Sequence, residues 1–510
     1  MIQLICMGQV QFQKTFSFGN RTFGQNIIQS IDHGWILTGY TEYSSDEDCF
    51  VLKTNEFGDT LWSISFGDTI DNEGFGLLEN PDSTIIVAGN NYYTGTGDIF
   101  LCRLNPFGDS IGFRTYHEDS VMLRFPDICK ASNGEMILFC GAYDRRDSSR
   151  RSQIIKVDSS GNVLWSKSLG RNTSDGNWYK IIPTHDGNFI LASNTLIANQ
   201  GDANLTKIDS SGLVIWSMNY DMGYEDAFEA VSQTLDGGYI LGGYVTHDTI
   251  HYERSLFLIK TDSVGSIQWS KTYNGNVGFY FPFVTEIPGI GYVFLTCIKD
   301  LSLANQIALV KTNQTGDTIS TSLFPGGNSL LFQSGTLNYD GTFSIHSSKF
   351  DGAIWSSYMI KTDEFLNTGC EEYTVDNMTI TSDTVKDTSY NAVLVPSSVN
   401  INPHQYIFRK GCTSDNICSS VQIDGPDQKR IEFELYPNPA DRFITINLPE
   451  AKYANVQLYN STGSLVKVFS HPGNKFQISV EDLSNGIYFI RTVSDANVSV
   501  LTKVIVTHEQ

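Results

Sequence analysis

The sequence predicts an all-β chain, and three observations carry the prediction: a hairpin signature that recurs seven times, four strand candidates in each recurrence, and a change of composition near residue 431. The signature is clearest as Lys207-Ile-Asp209-Ser-Ser-Gly212-Leu-Val-Ile-Trp216, a strand end, a tight turn and the start of another strand. It returns from Lys53 to Gly58, Arg103 to Gly108, Lys156 to Gly161, Lys260 to Gly265 and Lys311 to Gly316, and last as Lys361-Thr-Asp363. The Asn or Asp steps by 50, 53, 51, 53, 51 and 50 residues, a period that means an array of supersecondary units.

Each element has a local reason. In the first repeat the strand candidates are Gly24–Ser30, Trp35–Tyr40, Cys49–Lys53 and Thr60–Phe66, and four hairpin-linked strands per unit are the make-up of a propeller blade. Asn or Asp opens the signature turn because its side chain bonds the backbone two residues on. Gly closes it because that position needs positive φ, giving a type I turn with a glycine bulge. Trp62, Trp165, Trp216 and Trp269 stand four residues beyond that Gly and are expected between neighbouring blades. A second turn recurs at Asp32-His-Gly34, Asn133-Gly134, Asp186-Gly187, Asp236-Gly-Gly238 and Asp340-Gly341. The seventh repeat lacks a Trp-bearing fourth strand, and Val10–Phe18 reads like the missing one. The fold expected is a seven-bladed β-propeller closed by its N-terminal strand, followed by a small Ig-like antiparallel β-sandwich.

The expected domains are residues 9–377 for the propeller, 378–430 for a Ser/Thr/Asp-rich connector with strands at Met378–Val385 and Tyr406–Lys410, and 431–510 for the sandwich. Met1–Gly8 reads like the end of a signal peptide. The chain has 510 residues and a net charge of −22 with 18% charged residues, so its surface is polar and acidic. Composition therefore argues against nucleic acid and against anionic membranes, which need a basic face. No run of roughly 18 apolar residues exists, so no transmembrane helix is expected. Of nine cysteines, Cys49, Cys102, Cys129, Cys140 and Cys297 lie in apolar strand-like runs as small buried hydrophobes. Cys370, Cys412 and Cys418 lie in loop-like sequence, where a disulfide would suit an extracellular location.

The C-terminal stretch alternates apolar and polar residues between the punctuation of Pro437-Asn438-Pro439, Thr462-Gly463 and Asn485-Gly486. It also resembles the type A C-terminal sorting domain of the bacterial type IX secretion system. The resemblance rests on Tyr436-Pro437-Asn438-Pro439, on Tyr459 with Gly463, on Leu483 with Gly486 and Tyr488, and on Lys503 with Val506. It implies export through the periplasm and across the outer membrane, with the translocon as partner and the domain usually cut off at release or anchoring. The repeats resemble quinoprotein-like and WD-repeat propellers. Neither eight repeats nor a vicinal cysteine pair is present, which argues against the quinone, and no cofactor or metal is expected.

The loops joining second to third strands vary most, and in propellers they share one face with the loops that join blades. They hold Tyr43, Tyr92, Tyr93, Tyr143 and Tyr252, amphipathic rings of the kind that stack on sugars or anchor peptides. Arg145 and Arg146, with Arg150 and Arg151, form a basic cluster suited to a carboxylated ligand. His247, Asp248, His251 and Glu253 are ligand types within one loop whose geometry the sequence does not set. The function expected is a secreted or surface propeller that binds a glycan or protein without catalysis. The alternative is a propeller-type glycoside hydrolase or polysaccharide lyase, which paired carboxylates on the loop face would favour.

Overall fold

The computed structural model describes residues 10–508 apart from 43–45, 94–95, 170–179, 198–199, 223–224, 247–253, 275–282, 300–304, 326–333, 371–372, 375–378, 382–385, 390–393, 403–406, 422–433, 438–439, 448–452, 461–464, 473–474 and 495–498. The chain divides into two compact units between Val421 and Gln422. The first is a β-propeller. Its sheets follow one plan, illustrated by Arg21–Gln29, Trp35–Glu42, Glu47–Thr54 and Thr60–Gly67 joined in order by antiparallel hairpins. Among the described residues five sheets have five strands and one has ten, and the ten-stranded sheet is two halves whose strands pair with each other only at Arg21 and Trp355.

The turn chemistry holds in every copy of the signature. Asn55 Oδ1 accepts the backbone N–H of Phe57 and of Asp59, both at 2.9 Å, so one side chain secures two donors rather than the single one expected. Asn105, Asp158, Asp209, Asp262, Asn313 and Asp363 repeat this bonding. Gly58 takes φ +73 and Gly212 φ +76; the last copy puts Leu366 there at φ 72. A register shift between Lys53 and Thr54 is the bulge.

The tryptophans explain the glycines a second time. A Cβ on Gly108 would lie 2.7 Å from the Trp62 ring, and one on Gly316 would lie 2.8 Å from Trp269, so each indole covers the turn glycine of the following sheet. Trp62 Nε1 also donates to the Pro106 carbonyl at 2.9 Å. Beneath the turns, the recurring lysine has its own partner. Lys53, Lys156, Lys207, Lys260 and Lys361 are buried and reach Asp32, Glu135, Asp186, Asp236 and Asp340, acids of the second recurring turn, at 2.6 to 3.2 Å. Each pair ties the two turns of one sheet together. Removing one member would strand a buried charge.

The N-terminal strand completes the last repeat by direct pairing. Val10–Ser17 runs antiparallel to Trp355–Lys361, with Phe12 opposite Lys361 as Trp62 is opposite Lys53. Phe12 takes the tryptophan's role: a Cβ on Gly58 would lie 2.4 Å from its ring. It is fully buried with Phe16, Trp35 and Met359.

The segment from Cys370 onward departs from the expected connector, although Thr379–Thr381 and Ile407–Lys410 fall within the two strands expected in it. Up to Val421 the chain retraces the array in reverse, adding a fifth strand to the outer edge of each sheet. Tyr373–Thr374 pairs with Thr318–Pro325, Thr379–Thr381 with Ile267–Asn274, Lys386–Ser389 with Val214–Asp221 and Leu394–Pro396 with Val163–Leu169. Asn400–Asn402, Ile407–Lys410 and Thr413–Val421 follow on Ser110–His117, Thr60–Gly67 and Val10–Ser17. Most of these strands are two to four residues long and are held through the backbone, so they need no apolar alternation and leave no pattern to read. They cover edges that would otherwise invite pairing with another chain. Cys370, at the start of this segment, is disulfide-bonded, whereas Cys412 is a free thiol.

The second unit has two antiparallel sheets. Glu434–Tyr436, Phe443–Asn447 and Lys475–Ser479 form one, and Leu465–Pro472, Tyr453–Asn460, Gly486–Ser494 and Ser499–Val506 the other. Ile444, Ile446 and Ile478 of the first pack with Val456, Leu458, Ile490 and Val504 of the second in one core.

His346 is fully buried in the propeller. Its Nδ1 lies 2.9 Å from the Asn26 carbonyl, which can only accept, so Nδ1 carries the proton and Nε2 accepts from the Ser357 hydroxyl at 2.7 Å. Burial pushes this imidazole down to about 4 from 6.5.

Two outcomes follow from this packing. Deleting residues 1–18 bares the edges of both Trp355–Lys361 and Thr413–Val421, and should lower the melting temperature by at least ~5 °C and promote aggregation; an unchanged melting curve refutes the inserted strand. For His346 the unfolded chain takes up a proton that the folded chain refuses, so its contribution is full above pH 6.5 and is lost as pH falls towards about 4. The loss amounts to ~3 kcal/mol. His346→Gln should flatten the fall in melting temperature across that window, and parallel curves for both proteins would show that the histidine does not titrate there.

Candidate functional site

The structure treats the predicted binding residues unequally. Tyr43, Tyr252, His247, Asp248, His251 and Glu253 lie outside the described residues. Tyr92 and Tyr93 end the strand Ile85–Tyr93, opposite Gly97 and Thr96. Tyr143 is half-buried, with the Arg150 guanidinium 5.9 Å from its ring centre. The arginine cluster is largely spent on its own chain. Arg146 forms a two-pronged pair with Asp144, Nε to Oδ1 at 2.8 Å and a terminal nitrogen to Oδ2 at 2.6 Å. Arg151 reaches Glu118 at 2.6 Å and Asp144 at 3.4 Å. The Arg146 hydrogen bond holds the buried Asp144 carboxyl down at about 2. Only Arg145 and Arg146 of the four are well exposed, and Arg146 already holds a carboxylate.

A denser group of side chains gathers where three sheets meet on the same face. The hairpin end Phe350 and Trp355 belongs to one sheet, Arg21 with the hairpin end Glu42 and Glu47 to the next, and Asp71 with Glu73 to the third. Their ends converge because each strand begins or stops on this face and because Arg21 pairs directly with Trp355. The Glu47 backbone N–H donates to Asp71 Oδ1 at 3.2 Å.

Four aromatic rings form a continuous stack here. Phe350 lies 5.1 Å from Trp355, Trp355 lies 5.4 Å from Phe23, and Phe23 stacks on Tyr40 at 4.9 Å. Phe23 and Tyr40 are buried, whereas Phe350 and Trp355 are only partly covered. At the Tyr40 end stand the acids: Glu47, Glu73 and Glu42 raise the phenol above its ordinary range, burial more so, and only Arg21 opposes them. Arg21 pairs with Glu42 at 3.5 Å.

Glu47 and Glu73 act on each other's titration, and burial raises both above the ordinary carboxylate range. Burial pushes Glu47 up to about 8, with repulsion from Glu73 and Asp71 adding to it. Burial raises Glu73 as well, and Asn90 Nδ2 donates to its Oε2 at 3.4 Å.

Other charged groups lie at the equivalent height of neighbouring sheets. The residue five before the signature Lys or Arg is polar in every repeat: Asp48, Asp98, Arg151, Asp202, Ser255, Gln306 and Ser356. Asp48 pairs with Arg409 of the returning segment, and burial still pushes it up to about 6. His117 sits between Asp98 at 2.7 Å and Asp119 at 3.2 Å; burial opposes its proton, but the two carboxylates win and raise it. Asp202, Asp221 and Asp226 bring one carboxylate oxygen each to within 4.8 Å of one another, and burial, with Asp221, pushes Asp202 up to about 6. Oxygen donors of this kind suit a hard cation such as calcium. The repeat offset was a signal for this polar level; the acid-rich strand starts Asp46-Glu47-Asp48 and Asp71-Asn72-Glu73 were the signal for the carboxyl pair.

Of the sorting-motif residues, Pro437 and Gly486 are exposed, Tyr488 is buried with its hydroxyl donating to the Ser484 carbonyl at 3.0 Å, and Lys503 lies in a strand opposite Phe489. Asn438, Pro439 and Gly463 lie outside the described residues.

Comparison with known proteins gives one family match and several distant structural likenesses. Residues 434–507 match the secretion system C-terminal sorting domain. No curated protein matches the chain in sequence. Among solved structures, a Dyadobacter fermentans protein of unknown function is 11% identical with a TM-score of 0.39, covering 61% of this chain and 97% of its own. The polysaccharide lyase Uly1 is 12% identical at 0.44, covering 67% and 90%. The GH93 α-L-arabinofuranosidase of Fusarium graminearum, solved with arabinobiose, is 11% identical at 0.39, covering 69% and 98%. At these scores the likeness carries no argument, and the propeller assignment rests on the strand order. The chain thus joins a β-propeller to a C-terminal region, residues 434–507, that matches the secretion system C-terminal sorting domain.

Proposed function

We propose that this protein is carried to the cell surface or the medium by its C-terminal domain, and that its propeller binds a glycan or a protein there without chemistry. The observation that carries the first half is the sorting-domain match at 434–507. In this reading the propeller has seven blades spanning residues 9–421, completed by Val10–Ser17, and residues 431–510 form an Ig-like sandwich read by the translocon. The unit boundary at Val421 supports a separable tail.

Recognition rather than catalysis is supported by how the titratable groups of the loop face are used. Arg146, Arg151, His117 and Arg409 are engaged with carboxylates of the same chain. Hydrolase action has one specific observation in its favour, the neighbouring Glu47 and Glu73 carboxyls that burial raises.

Two measurements test the proposal. Truncation after Arg430 should leave a folded propeller in the periplasm, and residues 413–510 fused behind a reporter with a signal peptide should take the reporter outside; a truncated protein found in the medium would end the sorting assignment. Incubating the full chain with glycans it retains should release no reducing ends, and turnover abolished by Glu73→Gln would establish the hydrolase instead.

A further inference from the structure

We infer that Asp202, Asp221 and Asp226 are the protein ligands of a calcium ion, which fastens two neighbouring sheets of the propeller on the loop face. The inference goes beyond the recognition reading and does not depend on it.

The strand order brings the three acids together. Asp202 stands near the start of Gln200–Ile208, Asp221 ends Val214–Asp221, and Asp226 lies near the start of Glu225–Gln233, the first strand of the next sheet. Asp202 and Asp221 are the next residues out from the paired Ala203 and Tyr220, so they flank one another at the rim of their sheet. The Met222 backbone N–H donates to Asp226 Oδ2 at 2.8 Å, which holds this carboxylate across the connection between the sheets. One oxygen from each acid then lies within 4.8 Å of the other two.

The other repeats act as controls for this place. The residue five before the signature Lys or Arg meets the residue nine beyond the signature Gly: Asp48 with Gly67, Asp98 with His117, Asp202 with Asp221. The Asp48 carboxylate fills the space that a side chain at Gly67 would take, and Asp98 holds the His117 ring at 2.7 Å. Wherever the first of these residues is charged, the chain gives it a partner: Arg409 for Asp48, His117 for Asp98, Glu118 and Asp144 for Arg151. Asp202 is the exception, because its partner position holds a second acid.

Asp202 is also only 8% exposed, and among the described residues no donor and no cation reaches its carboxylate. Asp221 has Lys386 opposite it in the returning strand, and Asp226 has the Met222 N–H. A buried carboxylate aimed at two others is strongly unfavourable unless a cation lies between them.

Donor chemistry selects the ion. All three ligands are hard carboxylate oxygens, with neither nitrogen nor sulfur among them. Calcium takes oxygens at about 2.3–2.6 Å, so ligands on opposite sides of it stand up to about 5 Å apart, whereas magnesium at about 2.0–2.1 Å needs a tighter cage. Water and backbone carbonyls complete a calcium sphere that three acids begin.

The test uses the full chain, stripped of metal with EDTA and titrated calorimetrically with calcium chloride or magnesium chloride, with melting curves run in parallel. Calcium should bind with a Kd of about 10⁻⁴–10⁻³ M, as in extracellular modules, and at about 10 mM should raise the melting temperature by about 1–3 °C. Asp202→Asn keeps the shape and removes the charge, so it should weaken calcium by about tenfold or more. Because it also removes repulsion, it should melt no lower than the unaltered protein in metal-free buffer, which separates loss of the site from loss of fold. Asp221→Asn should weaken calcium likewise. Asp98→Asn, at the same position two sheets earlier, should leave the calcium response unchanged. Absence of calcium heat and of any rise in melting temperature overturns the site, as does a response that survives both Asp202→Asn and Asp221→Asn. A metal-free Asp202→Asn protein that melts lower shows the acid to be compensated within the chain and also overturns it. An equal response to magnesium overturns the assignment to calcium.

Discussion

Everything in the propeller hangs on a side chain of one residue per repeat. An Asn or Asp carboxamide or carboxylate oxygen that accepts two backbone N–H groups fixes the hairpin between third and fourth strands, and it does so in all seven copies. Once the turn is fixed, its glycine lies at a set height, and the preceding sheet can lay a tryptophan on it. The bulge then rotates the fourth strand, and the recurring lysine is left inside, facing the acid of the opposite turn. A buried lysine is tolerated because that acid is always within 3.2 Å where the pair forms. The signature is therefore one connected set of contacts, not a turn motif with ornaments, which is why all its positions recur together.

That logic explains what was legible. The strands, the turn, the inter-sheet role of tryptophan and the use of Val10–Phe18 to complete the last repeat could all be read because each depends on a residue type at a fixed offset. Phe12 in the tryptophan's place shows the limit: the position is recognisable only after the strand is aligned on Lys361. The returning segment was legible only in part: Thr379–Thr381 and Ile407–Lys410 fall within the two strands expected there, but nothing foretold that the chain runs back along the sheet edges. Its strands use Ser, Thr, Asn and Lys, and edge pairing asks nothing of side chains beyond not obstructing it. Low hydrophobicity was taken as the mark of a linker, when here it is the mark of an outermost strand.

The candidate site was only partly legible, for a different reason. Loop tyrosines were conspicuous as residue types, yet Tyr143, the one with a described side chain, is covered by Arg150. The arginine cluster was equally conspicuous, and its balancing acids Asp144 and Glu118 proved to be 26 residues apart in sequence but shared by one guanidinium. The residues that do converge come from segments near 21, 42, 73 and 355, and nothing in a linear reading brings 355 beside 21 except the closure itself. Recognising the closure was thus the step from which the site could have been derived.

The closure also gives the site its character. Elsewhere in the array each fourth strand leads at this face into the first strand of the next sheet, and here Val10–Ser17 leads in the same way into Arg21–Gln29, so the closing junction repeats the covalent link of the others and adds the Arg21–Trp355 contact. The ends of Phe343–Phe350 and Trp355–Lys361 lie beside Arg21–Gln29, where Phe350 and Trp355 are only partly covered. The same junction is secured twice on its outer side, since Val10–Ser17 is flanked by Trp355–Lys361 and Thr413–Val421. What Val10–Ser17 secures is therefore the last repeat itself, whose sheet comes complete only when the chain has returned to its own beginning.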